Sequence, residues 1–182
     1  MQLNKIISLM LMLIFLVLCP LLYADQATLE SGAITFDVPA GFTTLTADEI
    51  RLKFPSVHAP RFVVGNDSRT VTVAYDFKAT GMPPEKLVDA ELPNAQKGLA
   101  HTFDRIVPGI KWIKNEITDI NGKKWILFEM TSTAVDQDIH NMMLMTFFRG
   151  RMFIVNFNAT KGAFQEVGSE LKRCMQTLII KE

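Results

Sequence analysis

The chain of 182 residues carries 19 basic and 19 acidic side chains. That balance, with no long Lys/Arg cluster, supplies no basic field to displace counterions from phosphates and so excludes a nucleic-acid binder. The length suits one compact domain rather than two.

At the N-terminus Lys5 precedes an apolar run from Ile6 to Leu18, and the small Ala24 stands just before the polar Asp25-Gln26. A charged start, a short hydrophobic core and a small residue at the cleavage point mark a secretory signal peptide, and the core is shorter than the ~20 residues a membrane span needs. The expectation is a signal peptide over residues 1–24, cut after Ala24, and one domain over residues 25–182 that is periplasmic or secreted. Two alternatives stay open. Counted on to Leu22, the segment reaches the lower limit for a membrane anchor. Cys19 is a candidate for lipidation, although the bulky Leu18 before it and Pro20 after it match that signal poorly. Cleavage takes away Lys5 alone among the charges and leaves 158 residues at a net charge of −1, with Cys174 as the one remaining cysteine and no internal disulfide.

Along the domain, Ile34 to Val38 alternates apolar and polar residues at period two and runs into Pro39-Ala40-Gly41, a half-buried strand ended by turn chemistry. Thr46 and Glu49 form a capping-box pattern ahead of Ile50, Leu52 and Phe54, so a short helix follows, stopped by Pro55. Strands over Arg61 to Val64 and Thr70 to Phe77 flank the hairpin loop Gly65-Asn66-Asp67-Ser68. Pro83-Pro84-Glu85 opens the longest helical region, because proline suits a first turn whose N–H groups have no partner. Its stripe Val88, Leu92, Ala95, Leu99, Phe103 and Ile106 runs to Pro108, with a kink or a pair of abutting helices expected at Pro93 and Asn94.

The second half is denser. Trp112 to Thr118, Trp125 to Thr133, Ile139 to Phe148 and Met152 to Phe157 read as antiparallel strands, joined in part by Asn121-Gly122 and Arg149-Gly150-Arg151. Met142 to Met145 and Met152 to Val155 are almost continuously apolar, which requires cover on both faces of the sheet. The last segment supplies part of it, with Phe164, Val167, Leu171, Cys174, Met175 and Leu178 at helical spacing. The fold class read from these elements is α+β, an antiparallel β-sheet flanked by helices on both faces.

The order of elements, with Ile34 to Phe42, Pro83-Pro84-Glu85, Ile117 to Phe128, and Phe148 to Phe153 leading into Phe164 to Ile180, resembles the PsbP-like and Mog-like superfamily across the whole domain. The bacterial envelope DcrB-like branch is the nearest in feel. The resemblance implies an αβα sandwich and mostly non-enzymatic roles: a photosystem II accessory, a binder of a nuclear transport GTPase, and envelope proteins of obscure purpose. It carries no functional residues over to this chain.

Catalytic motifs are absent: there is no Gly-x-Ser-x-Gly elbow, His-Glu-x-x-His helix, Cys-x-x-Cys pair or phosphate-cradling glycine loop. Three histidines remain, His58, His101 and His140, any of which a fold can set beside a carboxylate without leaving a sequence trace. Cys174 lies on an apolar stripe and reads as a buried small hydrophobe rather than a redox thiol.

His140-Asn141-Met142-Met143-Leu144-Met145 combines imidazole with thioethers, a set that suits Cu(I). Strand alternation puts His140 and Met142 on one side and Met143 and Met145 on the other, so at most two share an ion, and His140 and Met142 stay weak metal candidates. Asp136-Gln137-Asp138 reads as a solvated loop, since the EF-hand pattern is missing. Lys123-Lys124 and Arg149-x-Arg151 are tips that can touch anionic headgroups but read as soluble loop ends. No cofactor is expected. The resulting reading is an exported, non-enzymatic binding or accessory protein whose partner is an unidentified envelope protein or small ligand, with a hydrolase of dispersed residues or an anchored envelope structural protein as alternatives.

Overall fold

The computed structural model describes residues 24–54, 59–133 and 137–181. Among these residues ten strands form two antiparallel sheets. The smaller has the order β1-β2-β10, from β1 (Asp25–Leu29), β2 (Ile34–Val38) and β10 (Ile179–Ile180). The larger has seven strands in the order β3-β4-β5-β9-β8-β7-β6. Its members are β3 (Thr43–Thr44), β4 (Phe62–Gly65), β5 (Val71–Lys78), β6 (Lys111–Ile120), β7 (Lys123–Thr133), β8 (Asp138–Phe148) and β9 (Arg151–Thr160). Among the described residues three α-helices accompany the sheets: α1 (Ala47–Lys53), α2 (Leu92–Ile106) and α3 (Lys161–Gln176).

Local chemistry accounts for the framework. At the β6–β7 turn, Asn121 and Gly122 have φ of 52° and 79°, and at the β8–β9 turn Arg149 and Gly150 have φ of 46° and 72°. Paired positive φ is the geometry of the two-residue hairpin whose twist matches that of its strands. The expected capping box is formed at α1: Thr46 Oγ1 accepts from Glu49 N–H, and Glu49 Oε2 accepts from Thr46 N–H at 2.7 Å. Pro55 lies outside the described residues.

The seven-stranded sheet is covered on both faces. On one, α3 and the small sheet enclose the main core, in which Phe36, Trp125, Met142, Leu144, Phe153, Phe157, Leu171 and Cys174 are fully buried. On the other, α2 packs on β6 and β7 over Ile126, Phe128, Met130 and Met145, and α1 seats Ile50 and Phe54 on Leu45, Val63 and Ala74. The alternation of Met142 and Leu144 into one core and Met143 and Met145 into the other is the two-sided burial that the apolar run requires.

The region after Pro83 departs from expectation. Instead of one long helix, two 3-10 turns, Pro84–Lys86 and Asp89–Glu91, precede α2. Pro93 falls in the first turn of α2, where a missing N–H breaks no hydrogen bond, so the helix has no kink at the proline. Asn94 does not recap it: Asn94 Nδ2 donates to Glu91 Oε2. Val88 and Ile106, the ends of the anticipated stripe, are exposed. Strands β1, β3 and β10 carry no clear period-two signal of their own in the sequence and form by pairing with β2 and β4.

Candidate functional site

The two faces of the large sheet carry different groups. On the α3 face, β7 and β8 place Glu129, opposite Met142, and His140, opposite Thr131, two positions apart along the ladder, and His140 Nε2 lies 3.0 Å from Glu129 Oε1. Lys172 of α3 reaches the same oxygen at 3.4 Å. The imidazole stacks flat on Phe164, with ring centroids 3.4 Å apart. Burial holds the His140 pKa below its ordinary value of 6.5, and the hydrogen bond His140 makes to Glu129 opposes this only in part. Met142 is fully buried among the aromatic residues of the main core. Among the described residues no three His, Cys, Asp or Glu side chains converge as a metal cluster, and no hydroxyl or thiol hydrogen-bonds to either member of the His140–Glu129 pair.

The other sequence candidates are dispersed. His101 is exposed on α2, and His58 and Asp136 lie outside the described residues, as do residues 1–23 of the expected signal peptide. Asp138 pairs with Lys161 at 3.6 Å. The basic tips are engaged: Lys123 with Asp89 at 3.0 Å, and Arg151 with Glu30 at 3.2 Å while stacked over Phe77. Cys174 is buried, and its thiol is pushed up to about 11 by that burial.

The opposite face holds a groove that no sequence pattern announces. Because α1 sits over β4 and β5 and α2 over β6 and β7, the central strands β9 and β8 are left without a helix above them. Two strands at ~4.8 Å spacing make a floor roughly 10 Å wide. Met143, Met145, Ile154 and Asn156 form that floor, with Ala74 of β5 at its edge, Phe54 and Pro60 form one wall, and Leu99, Phe103 and Ile106 of α2 the other, around a volume of about 380 Å³. Phe54, Leu99, Phe103, Met143 and Ile154 are only half-buried although they face inward, and Ile106 is 67% exposed. An uncovered apolar surface of this kind, concave and of this volume, is the ordinary form of a small-molecule site.

Polar groups are confined to the two ends of the groove. At one end Asp76, 4% exposed, is held by Lys78 Nζ at 2.7 Å and Arg61 Nε at 3.5 Å. Towards the other end Asn141 Oδ1 accepts from Asn156 Nδ2 at 3.1 Å and Asn158 Nδ2 at 2.7 Å. Asn156 Oδ1 is buried with no hydrogen-bond partner, an arrangement that costs free energy unless a donor arrives.

No family model and no curated protein matches the chain. Solved structures do. The chain is similar to cyanobacterial PsbP (CyanoP) from Synechocystis sp. PCC 6803, with a TM-score of 0.61 at 12% identity over 90% of this chain and 95% of that one. It is similar to LpqN of Mycobacterium tuberculosis, described as involved in cell envelope biogenesis, with a TM-score of 0.53 at 12% identity over 88% and 91%. A third is PA94 of Pseudomonas aeruginosa, a putative regulator of unknown function, with a TM-score of 0.52 at 14% identity over 88% and 99%. At these identities the likeness is one of fold: the chain has the PsbP-like fold.

Proposed function

We propose that this PsbP-like chain is an exported, non-enzymatic accessory of the cell envelope that works by binding, with the groove between α1 and α2 as its binding face. The observation that carries the reading is the half-buried apolar lining of that groove over β8 and β9. Export is supported by the Lys5, apolar-core and Ala24 arrangement, and by β1 opening at Asp25, the first residue past the expected cut. An envelope role is supported by the similarity of fold to LpqN.

One observation favours a hydrolase instead, the His140–Glu129 pair. Against it, the imidazole is covered by Phe164 and lies on the sheet face opposite the groove.

The test of the binding reading is titration with the neutral, environment-sensitive dye N-phenyl-1-naphthylamine. Saturable binding at one site is expected, weakened about tenfold or more by Ile106→Asp, which sets a charge in an apolar wall yet replaces an exposed residue. Absence of saturable binding, or binding indifferent to Ile106→Asp and Leu99→Ser alike, contradicts the reading.

A further inference from the structure

Resting on the groove as the binding face, we infer that its occupant is a single-chain amphiphile with an anionic head, the head at Arg61 and Lys78 and the chain along the floor of β8 and β9. The mouth carries two cations against one carboxylate. Arg61 and Lys78 both turn to Asp76, which also accepts from Phe77 N–H, and have no other acidic partner among the described residues. Five guanidinium N–H groups and three ammonium protons exceed what one buried carboxylate can accept. Their side chains are 74% and 37% exposed, so the surplus donors are open to a ligand. The net charge of +1 at this end selects an anion over a cation of the same chain length.

Behind the mouth the lining is apolar through Met145, Ile154, Leu99 and Phe103. At roughly 30 Å³ for a water-sized group, the groove of about 380 Å³ holds about a dozen such groups, enough for one chain and not for two. The unpartnered Asn156 Oδ1 stands in the same lining. It needs a donor, which a chain bearing a hydroxyl supplies and a plain alkyl chain does not.

The experiment is displacement of bound N-phenyl-1-naphthylamine from the full-length domain by dodecanoate, 12-hydroxydodecanoate, whose hydroxyl lies at the end of the chain away from the head, and dodecyltrimethylammonium. Dodecanoate is expected to compete about tenfold better than the ammonium compound. Arg61→Glu, a substitution at an exposed side chain, should remove that preference. The hydroxy acid should compete severalfold better than dodecanoate, an advantage lost in Asn156→Leu. Equal competition by anion and cation, or a preference untouched by Arg61→Glu and Lys78→Met, overturns the head assignment while leaving the groove as the binding face. Failure of the dye itself to bind the wild-type protein sinks the groove reading as well. An equal effect of dodecanoate and its hydroxy form overturns the role of Asn156.

Discussion

His140 lies in a tight polar column, its ring flat on Phe164, its Nε2 on Glu129, and Lys172 on the same carboxylate oxygen. Burial keeps the imidazole neutral by lowering its pKa from 6.5. Above 6.5 the folded and unfolded chains both carry a neutral His140, and its contribution to stability is complete. Between 6.5 and the lowered folded value, the unfolded chain takes up a proton that the folded chain refuses, so stability falls as pH falls. Urea unfolding midpoints from neutral pH down to about pH 5 should therefore decline in the wild type and decline less in His140→Gln. Equal slopes in the two proteins would remove His140 from the account. Cys174 follows the same logic of burial with the opposite sign: its thiol is pushed up to about 11, so neither thiolate nor access is on offer at neutral pH. Thiol reagents should leave the native protein unlabelled and react once it is unfolded. Rapid native labelling, or chains linked in a non-reducing gel, would mean that this helix face is open.

The hairpins show how an element can answer to more than its own turn. Gly122 and Gly150 both have positive φ, 79° and 72°. A Cβ built on Gly122 meets nothing within 4 Å, whereas one built on Gly150 lies 3.2 Å from Pro84 Cβ. Gly122→Ala therefore costs the left-handed conformation alone, about 1–2 kcal/mol. Gly150→Ala incurs the same term and also pushes on the 3-10 turn at Pro84–Lys86, so its cost is larger, roughly 2–3 kcal/mol in all. Denaturant midpoints of the two variants should rank in that order. The reverse order would mean that the Pro84 segment yields freely.

For the whole molecule, the first strand, β1, opens at Asp25, the first residue past the expected cut. Asp25 already pairs with Val38 in β2, and β2 in turn takes β10 on its other edge. A cut after Ala24 would thus leave no slack chain ahead of the first strand. Intact-mass measurement on protein from the envelope fraction should give a chain beginning at Asp25. Retention of residues 1–24, or a lipid mass on Cys19, would replace cleavage by anchoring. Similarity to CyanoP, LpqN and PA94 at 12–14% identity has its cause at this scale too. Layer order and two-sided burial can be met by many side-chain sets of the right size and pattern.

Much of the framework is written locally. The period-two run at Ile34–Val38, the Asn121-Gly122 turn, the Thr46–Glu49 cap and the stripe through Leu171 and Cys174 each depend on residues a few places apart, and these elements stand as read. The apolar run at Met142–Met145 even declared the two-sided cover of the sheet. Other features depend on partners far away in the chain. β1 and β10 exist as strands because β2 supplies both edges, and Glu129 reaches His140 because β7 and β8 pair in one register. The groove is the clearest case. Met143, Met145, Ile154 and Asn156 look like any other core-facing strand residues, and they become its floor only because α1 and α2 come down over flanking strands and leave β8 and β9 between them. Periodicity tells a residue which face it is on, and only the packing of distant elements decides whether that face is covered.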